Sequence, residues 1–229
     1  MSINLPTYHN ILARLQPYNA KLVAVSKTKP VADIEAFYAA GQRIFGENYV
    51  QELTEKQAVL PADIEWHFIG HLQSNKVKYI APFVHTIHAV DSLKLLQEIA
   101  KQAAKHQRVI NCLLQVHIAA EETKFGMDET ELQQLLQNWQ ASQTIFSQVR
   151  IAGMMGMATN TDNETQIRKE FHQLHQLFGS VKQHYFNNES SFKELSIGMS
   201  ADYPIALEEG STMVRIGSLL FGERNYSKM

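Results

Sequence analysis

The 229-residue chain lacks the features that mark several large protein classes. It has one cysteine, Cys112, inside the apolar run VINCLLQV, so no disulfide can close within it. The expectation is a small buried hydrophobe in a reducing compartment, the cytoplasm. No apolar stretch approaches the ~20 residues needed to cross a bilayer. The opening MSINLPTYHNILARL has no basic segment leading into an apolar core, so no secretory leader is expected. Neither sign of charge prevails: 21 Lys and Arg against 23 Asp and Glu leave a formal net charge of −2. That balance gives no general pull towards nucleic acid or an anionic membrane. Glycine-rich phosphate loops are missing too. No GxGxxG follows an apolar run and no GxxxxGK[ST] occurs, which argues against a doubly wound nucleotide-binding sheet.

What is present alternates. Short apolar runs read as strands at 22–26, 43–46, 65–69, 86–90, 109–118, 149–155, 194–197 and 213–216. Between them lie segments with helical period: Ile34, Phe37 and Tyr38; then Leu93, Leu96, Ile99 and Ala103 behind an Asp91-Ser92 cap; then Leu132, Leu135, Leu136 and Trp139; then Ile167, Phe171, Leu174 and Phe178. Parallel strands need such crossovers. Eight units predict an α/β fold, a (β/α)8 TIM barrel, and a hydrophobic fraction of 45% supplies its core. No composition shift marks a domain boundary. One domain over residues 1–229 is expected, with a leading helix within 1–20 covering the barrel bottom and the barrel itself over 21–226. The polar stretch 180–193 reads as a loop.

In such a barrel, chemistry gathers at the C-terminal strand ends. The first strand ends in SKTKP, carrying Lys27 and Lys29. Both lysines can run to solvent. Alternatively, Lys29 points the same way as Lys27 in an extended chain, and its charge favours the neutral, nucleophilic amine beside it. The second strand end carries GENY and the sixth AGMMGMAT. The seventh and eighth end in SIGMS and RIGS. Their glycines and hydroxyls, Ser200, Gly217 and Ser218, suit an anion, although Gly-Ser after a strand is also an ordinary turn. A lysine across a barrel mouth from a phosphate cradle suits a ligand with an aldehyde at one end and a phosphate at the other, and pyridoxal 5′-phosphate (PLP) is that ligand. No metal site is expected: His67 and His71 straddle a strand end, where a four-residue spacing does not converge, and His85 and His88 read as structural.

Seven stretches, AVSKTKP, FGENYVQE, WHFIGHLQSNK, KFGM, AGMMGMA, LSIGMSADY and MVRIGSLLFGER, resemble the pyridoxal phosphate homeostasis protein family in order and spacing. Members of that family look like the N-terminal barrel of alanine racemase without its second domain. The resemblance implies that Lys27 carries PLP as a Schiff base and that Ser200, Gly217 and Ser218 hold the phosphate. Serine stands at 218 where threonine is commoner in the family, which keeps the hydroxyl. It also implies that Arg215 faces the pyridine nitrogen, that Asn48 lies near the cofactor, and that Lys124 lies near the barrel mouth. The implied role is intracellular PLP homeostasis: buffering the cofactor and delivering it to apo forms of PLP-dependent enzymes. Arginine stays protonated and cannot help protonate the ring, so substantial catalysis is not expected. The alternative is a PLP-dependent amino-acid racemase. That would need a second base, for which Tyr49 and Tyr203 are the candidates. A monomer without nucleic-acid or membrane partners is expected.

Overall fold

Consecutive apolar positions need cover on both faces of a strand. Here the runs obtain it by closing on themselves beneath a coat of helices. The computed structural model describes residues 3–121 and 124–223. Residues 1–2, 122–123 and 224–229 lie outside it, and with them Arg224 of the FGER motif and the end of the expected barrel span. The strands are β1 (Lys21–Val25), β2 (Ile44–Glu47), β3 (Glu65–Phe68), β4 (Thr86–Val90), β5 (Ile110–Gln115), β6 (Val149–Met155), β7 (Glu194–Ser196) and β8 (Met213–Ile216). They pair in chain order, all parallel, and β8 returns to β1 with Val23 opposite Arg215. The predicted α/β barrel is the fold.

The helices are α1 (Leu5–Leu15), α2 (Val31–Ala39), α3 (Val50–Gln57), α4 (Val77–Ile80), α5 (Leu93–Lys105), α6 (Glu129–Ala141), α7 (Glu164–Tyr185), α8 (Tyr203–Glu208) and α9 (Ser218–Phe221). Their starts are specified locally. Ser92 Oγ accepts from the Leu95 N–H at the head of α5, and Asp128 with Glu131 forms a reciprocal capping box on α6. The helix α1 does not cover the barrel bottom as expected but packs on the outer wall against α2, α8 and α9, because its buried face Tyr8, Ile11 and Leu15 meets their side chains. Tyr8 meets Phe37 of α2 edge-on at 5.4 Å, Asn4 N–H donates to Leu220 O of α9, and Arg14 reaches Tyr203 of α8.

The stretch 180–193 departs from expectation. The helix α7 runs on to Tyr185 because Val181 continues its buried stripe below Phe171 and Leu174, while the polar residues around it face water. Phe186 and Phe192 then stack at 4.4 Å and close the segment against the core.

Strand alternation sorts the side chains. Leu22 and Ala24, Trp66 and Phe68, and Val214 and Ile216 join the main core under the helices. The alternate positions enter the lumen. Its middle is polar: His67, His88, Ser196 and Arg215 are all at most 5% exposed there. Positions 23 and 25 climb one side of the lumen and 213 and 215 climb the neighbouring one. This arrangement sets Arg215 inside the lumen beside Val23, and the loops carrying Lys27 and Gly217 leave β1 and β8 at the same end of the barrel.

Candidate functional site

At the C-terminal mouth of the barrel lies a cavity of about 300 Å³. Lys27, Asn48, Ser200, Arg215, Gly217 and Ser218, the residues singled out in the sequence, all line it, and Lys29, Met157 and Met199 lie beside them. Six residues from the ends of four strands therefore converge on one space.

Lys27 sits half-buried on a tight turn. Lys29 N–H donates to Ser26 O at 3.1 Å, and Thr28 between them takes the left-handed φ of 62°. The chain is therefore not extended here, which corrects the expected parallel pointing of the two lysines. Lys29 Nζ instead donates to the carbonyls of Phe221, Gly222 and Glu223 at 2.8–3.1 Å. Its charge is taken up by the end of α9.

Behind the turn lies a buried polar brace that sequence reading missed. Ser26 Oγ donates to Glu47 Oε1, and Lys56 Nζ of α3 donates to Ser26 O, Glu47 Oε1 and Glu52 Oε1, each at 2.7 Å. Glu52 also accepts the Thr28 N–H at 2.6 Å, which holds the left-handed residue in place. Burial pushes the Glu47 carboxyl up to about 7, against the lowering pull of Lys56 and Ser26. Nothing local in the sequence points to Lys56; its role exists only once α3 folds onto β2.

On the far side, β7 and β8 bring their loops together. Gly217 N–H lies 3.4 Å from Ser200 Oγ. The SIGMS turn depends on Gly198 at φ +93°, where a Cβ would lie 2.6 Å from that of Ala206. Asp202, also missed, fixes the turn by accepting the Met199 N–H at 2.5 Å. The N–H groups that open α9 beside Gly217 have no intrahelical acceptor.

Arg215 forms the cavity floor. Nη1 donates to Ser196 O and Oγ at 2.7 and 2.6 Å, and Nη2 donates to Gly156 O at 3.0 Å. Loss of water lowers its pKa to about 10, with Asp202 opposing, so it remains a cation near neutrality. Below it the lumen continues as a hydrogen-bonded column: Ser196 Oγ to His88 Nδ1 at 3.1 Å, and His88 Nε2 to His67 Nδ1 at 2.9 Å.

Other candidates lie apart from the cavity. Tyr203 OH accepts from Arg14 on the outer wall. Tyr49 is 54% exposed and lines a neighbouring groove with His71 and Tyr79. Lys124 donates to Ala158 O and pairs with Glu121 at 2.9 Å.

A parallel barrel with a lysine, a fixed guanidinium and a hydroxyl-and-glycine cradle at one mouth belongs to a recognised class. The model of the alanine racemase N-terminal domain family matches residues 7–225. A relative from Aquifex aeolicus (strain VF5), named pyridoxal phosphate homeostasis protein, is 40% identical over 208 residues, covering 90% of this chain and 88% of its own. The structure of PipY from Synechococcus elongatus PCC7942, solved without PLP, superposes with a TM-score of 0.87 at 37% identity, over 95% of this chain and 99% of that one. The same protein with PLP bound gives a TM-score of 0.84 at 36% identity, over the same shares of both chains. Alanine racemase of Streptomyces coelicolor A3(2) shares the fold alone, with a TM-score of 0.72 at 14% identity, over 97% of this chain and 59% of the racemase. This chain belongs to the pyridoxal phosphate homeostasis protein family.

Proposed function

We propose that this chain holds PLP at the C-terminal mouth of the barrel and serves to buffer and hand on the cofactor, without substantial catalysis of its own. The carrying observation is the convergence of Lys27, Asn48, Ser200, Arg215, Gly217 and Ser218 on one cavity. The residues present fit the group. A primary amine faces a cradle of hydroxyls and glycine backbone, and a guanidinium lies on the floor. Asn48 Oδ1 is buried without a hydrogen-bond partner among the described residues, as expected of an acceptor kept for a ligand.

When bound, PLP supplies an aldehyde that condenses with a primary amine, and a ring that absorbs visible light. Lys27 Nζ is the proposed point of attachment. Ser200, Ser218 and the backbone at Gly217 would hold the phosphate, and Arg215 would donate to the ring nitrogen without giving up its proton. The absence of substantial turnover is supported by the cavity wall. Among the described residues, its only titratable groups are Lys27, Lys29 and Arg215, and Lys29 already gives its donors to three carbonyls. No second base faces Lys27 there, as racemisation would require. A monomeric, cytoplasmic protein that delivers PLP to apo enzymes completes the reading; the buried thiol of Cys112 fits a reducing setting.

The test is spectroscopic. Protein incubated with PLP should turn yellow, and borohydride should fix the cofactor to Lys27 as read by peptide mass. A protein that stays colourless and takes up no PLP would sink the proposal. Holo-protein kept with L-amino acids in deuterated water should show no rapid exchange at Cα. Exchange with turnover would favour the racemase instead.

A further inference from the structure

The opposite, N-terminal mouth of the barrel carries a second convergence of chemistry. Glu65 opens β3, His67 follows two residues on in the same strand, and His85 stands just before β4. One potential ligand atom from each lies within 4.8 Å of the other two. The rings of His67 and His85 stack with centroids 5.5 Å apart and planes within 5°. His85 Nε2 is 3.7 Å from Glu65 Oε2.

The state of the four ring nitrogens is informative. His67 Nδ1 is engaged by His88 Nε2 at 2.9 Å, and His85 Nδ1 by Thr86 Oγ1 at 2.9 Å. In both rings Nδ1 is therefore occupied and Nε2 is the nitrogen left over. His67 is 2% exposed, yet its Nε2 is buried without any hydrogen-bond partner among the described residues. A buried unsatisfied ring nitrogen is costly and needs a physical reason. Metal-binding histidines show this same division: one nitrogen held by an outer partner, the other presented to the ion.

We propose that Glu65, His67 and His85 form a binding site for a late first-row divalent ion, Zn²⁺ or a congener, on the floor of the barrel. Two imidazoles and one carboxylate suit that class of ion, and they do not suit Ca²⁺ or Mg²⁺, which take oxygen ligands. Glu65 and His85 have side chains 46% and 44% exposed, so an ion can enter from solvent while His67 waits beneath. Lys21, Arg108 and Arg150 face the cluster electrostatically and oppose a cation, and Lys21 is itself paired with Glu194. The site therefore relies on imidazole ligation instead of bulk negative charge. The sequence hides it because His67 pairs with residues of the adjacent strand and not with its own neighbour His71. The inference is independent of PLP.

The experiment titrates the full, metal-free chain with Co²⁺ and follows the visible bands of a ligated site, then displaces the Co²⁺ with Zn²⁺. One equivalent is expected. His85→Ala and Glu65→Gln alter half-exposed side chains, so folding should be kept, and circular dichroism checks it. Each should weaken binding by at least about 10-fold, and Thr86→Val, which removes only the outer partner of His85, by about 10-fold. His71→Ala should change nothing. Side-chain ¹⁵N spectra of the Zn²⁺ form should show Nε2 ligated and Nδ1 protonated in His67 and His85. Absence of saturable binding, or equal affinity in His85→Ala, Glu65→Gln and wild type, would overturn the site.

Discussion

Ser200 and Glu47 show how single side chains set the behaviour of this barrel mouth. Ser200 Oγ sits where the ends of β7 and β8 meet, against the N–H of Gly217. If it donates to a phosphate, Ser200→Ala should weaken PLP by about 1–3 kcal/mol in equilibrium dialysis, the worth of a hydrogen bond to a charged group; unchanged affinity would remove it from the cradle. Glu47 predicts a pH effect. Its carboxyl is raised in the folded chain to about 7 from 4.5, chiefly by burial. A raised carboxyl favours the fold while protonated. Its contribution is complete below the unfolded value and is lost as pH rises through the folded one. Relative to wild type, Glu47→Gln should therefore gain up to about 3 kcal/mol of stability as pH rises from roughly 4 to 8. Denaturant melts at several pH values would read this, and a pH-independent difference would refute it. Of these two residues, sequence reading found Ser200 by its motif. Glu47 was visible only as part of GENY, because its partner Lys56 comes from another element.

At the scale of elements, the catch is the turn 26–29 that joins β1 to α2. A threonine in the left-handed region costs roughly 1–2 kcal/mol. Glu52 of α3 holds it there through the Thr28 N–H and shares Lys56 with Glu47. Glu52→Ala should lower stability by about 1–3 kcal/mol. It should also slow attachment of PLP to Lys27 in stopped-flow absorbance without abolishing it; an attachment rate equal to wild type would mean the turn needs no brace. The elements themselves were legible to different degrees. Most strands were read to within a residue because they are covered on both faces and so are rich in apolar residues, with polar exceptions such as Thr86 and His88 in the fully buried Thr86–Val90; only β5 was overrun, by three residues at its end. The end of α7 was not legible, since one buried residue, Val181, carries the helix past Phe178 through otherwise polar sequence. The turn was misread because an extended chain was assumed where Thr28 reverses it.

For the whole molecule, closure of the sheet brings loops distant in the sequence into one cavity, and a ligand bound there ties the barrel together. PLP at about 100-fold excess over its Kd should stabilise the fold by about 2.7 kcal/mol. For a chain of this size that raises Tm by roughly 5–10 °C. Lys27→Ala should shrink the rise and should retain whatever the phosphate cradle supplies alone. Scanning calorimetry at several PLP concentrations reads both, and a Tm indifferent to PLP would contradict the assignment. At this scale the sequence was readable through its strand ends, which placed all six proposed contacts at one mouth. It was mute about the lumen, where the column from Arg215 to His67 joins β7 and β8 to β3 and β4, two strand pairs far apart in the chain.

The grip of Lys29 on the carbonyls of residues 221–223 stitches the tail of the chain to its first crossover. Ending the polypeptide at Leu220 would take no side chain from the cradle. It would, however, pull the buried Phe221 ring away from Phe37 and strip an ammonium of its oxygen partners two residues from the proposed point of attachment, so the damage would reach the mouth both as lost packing and as stray positive charge.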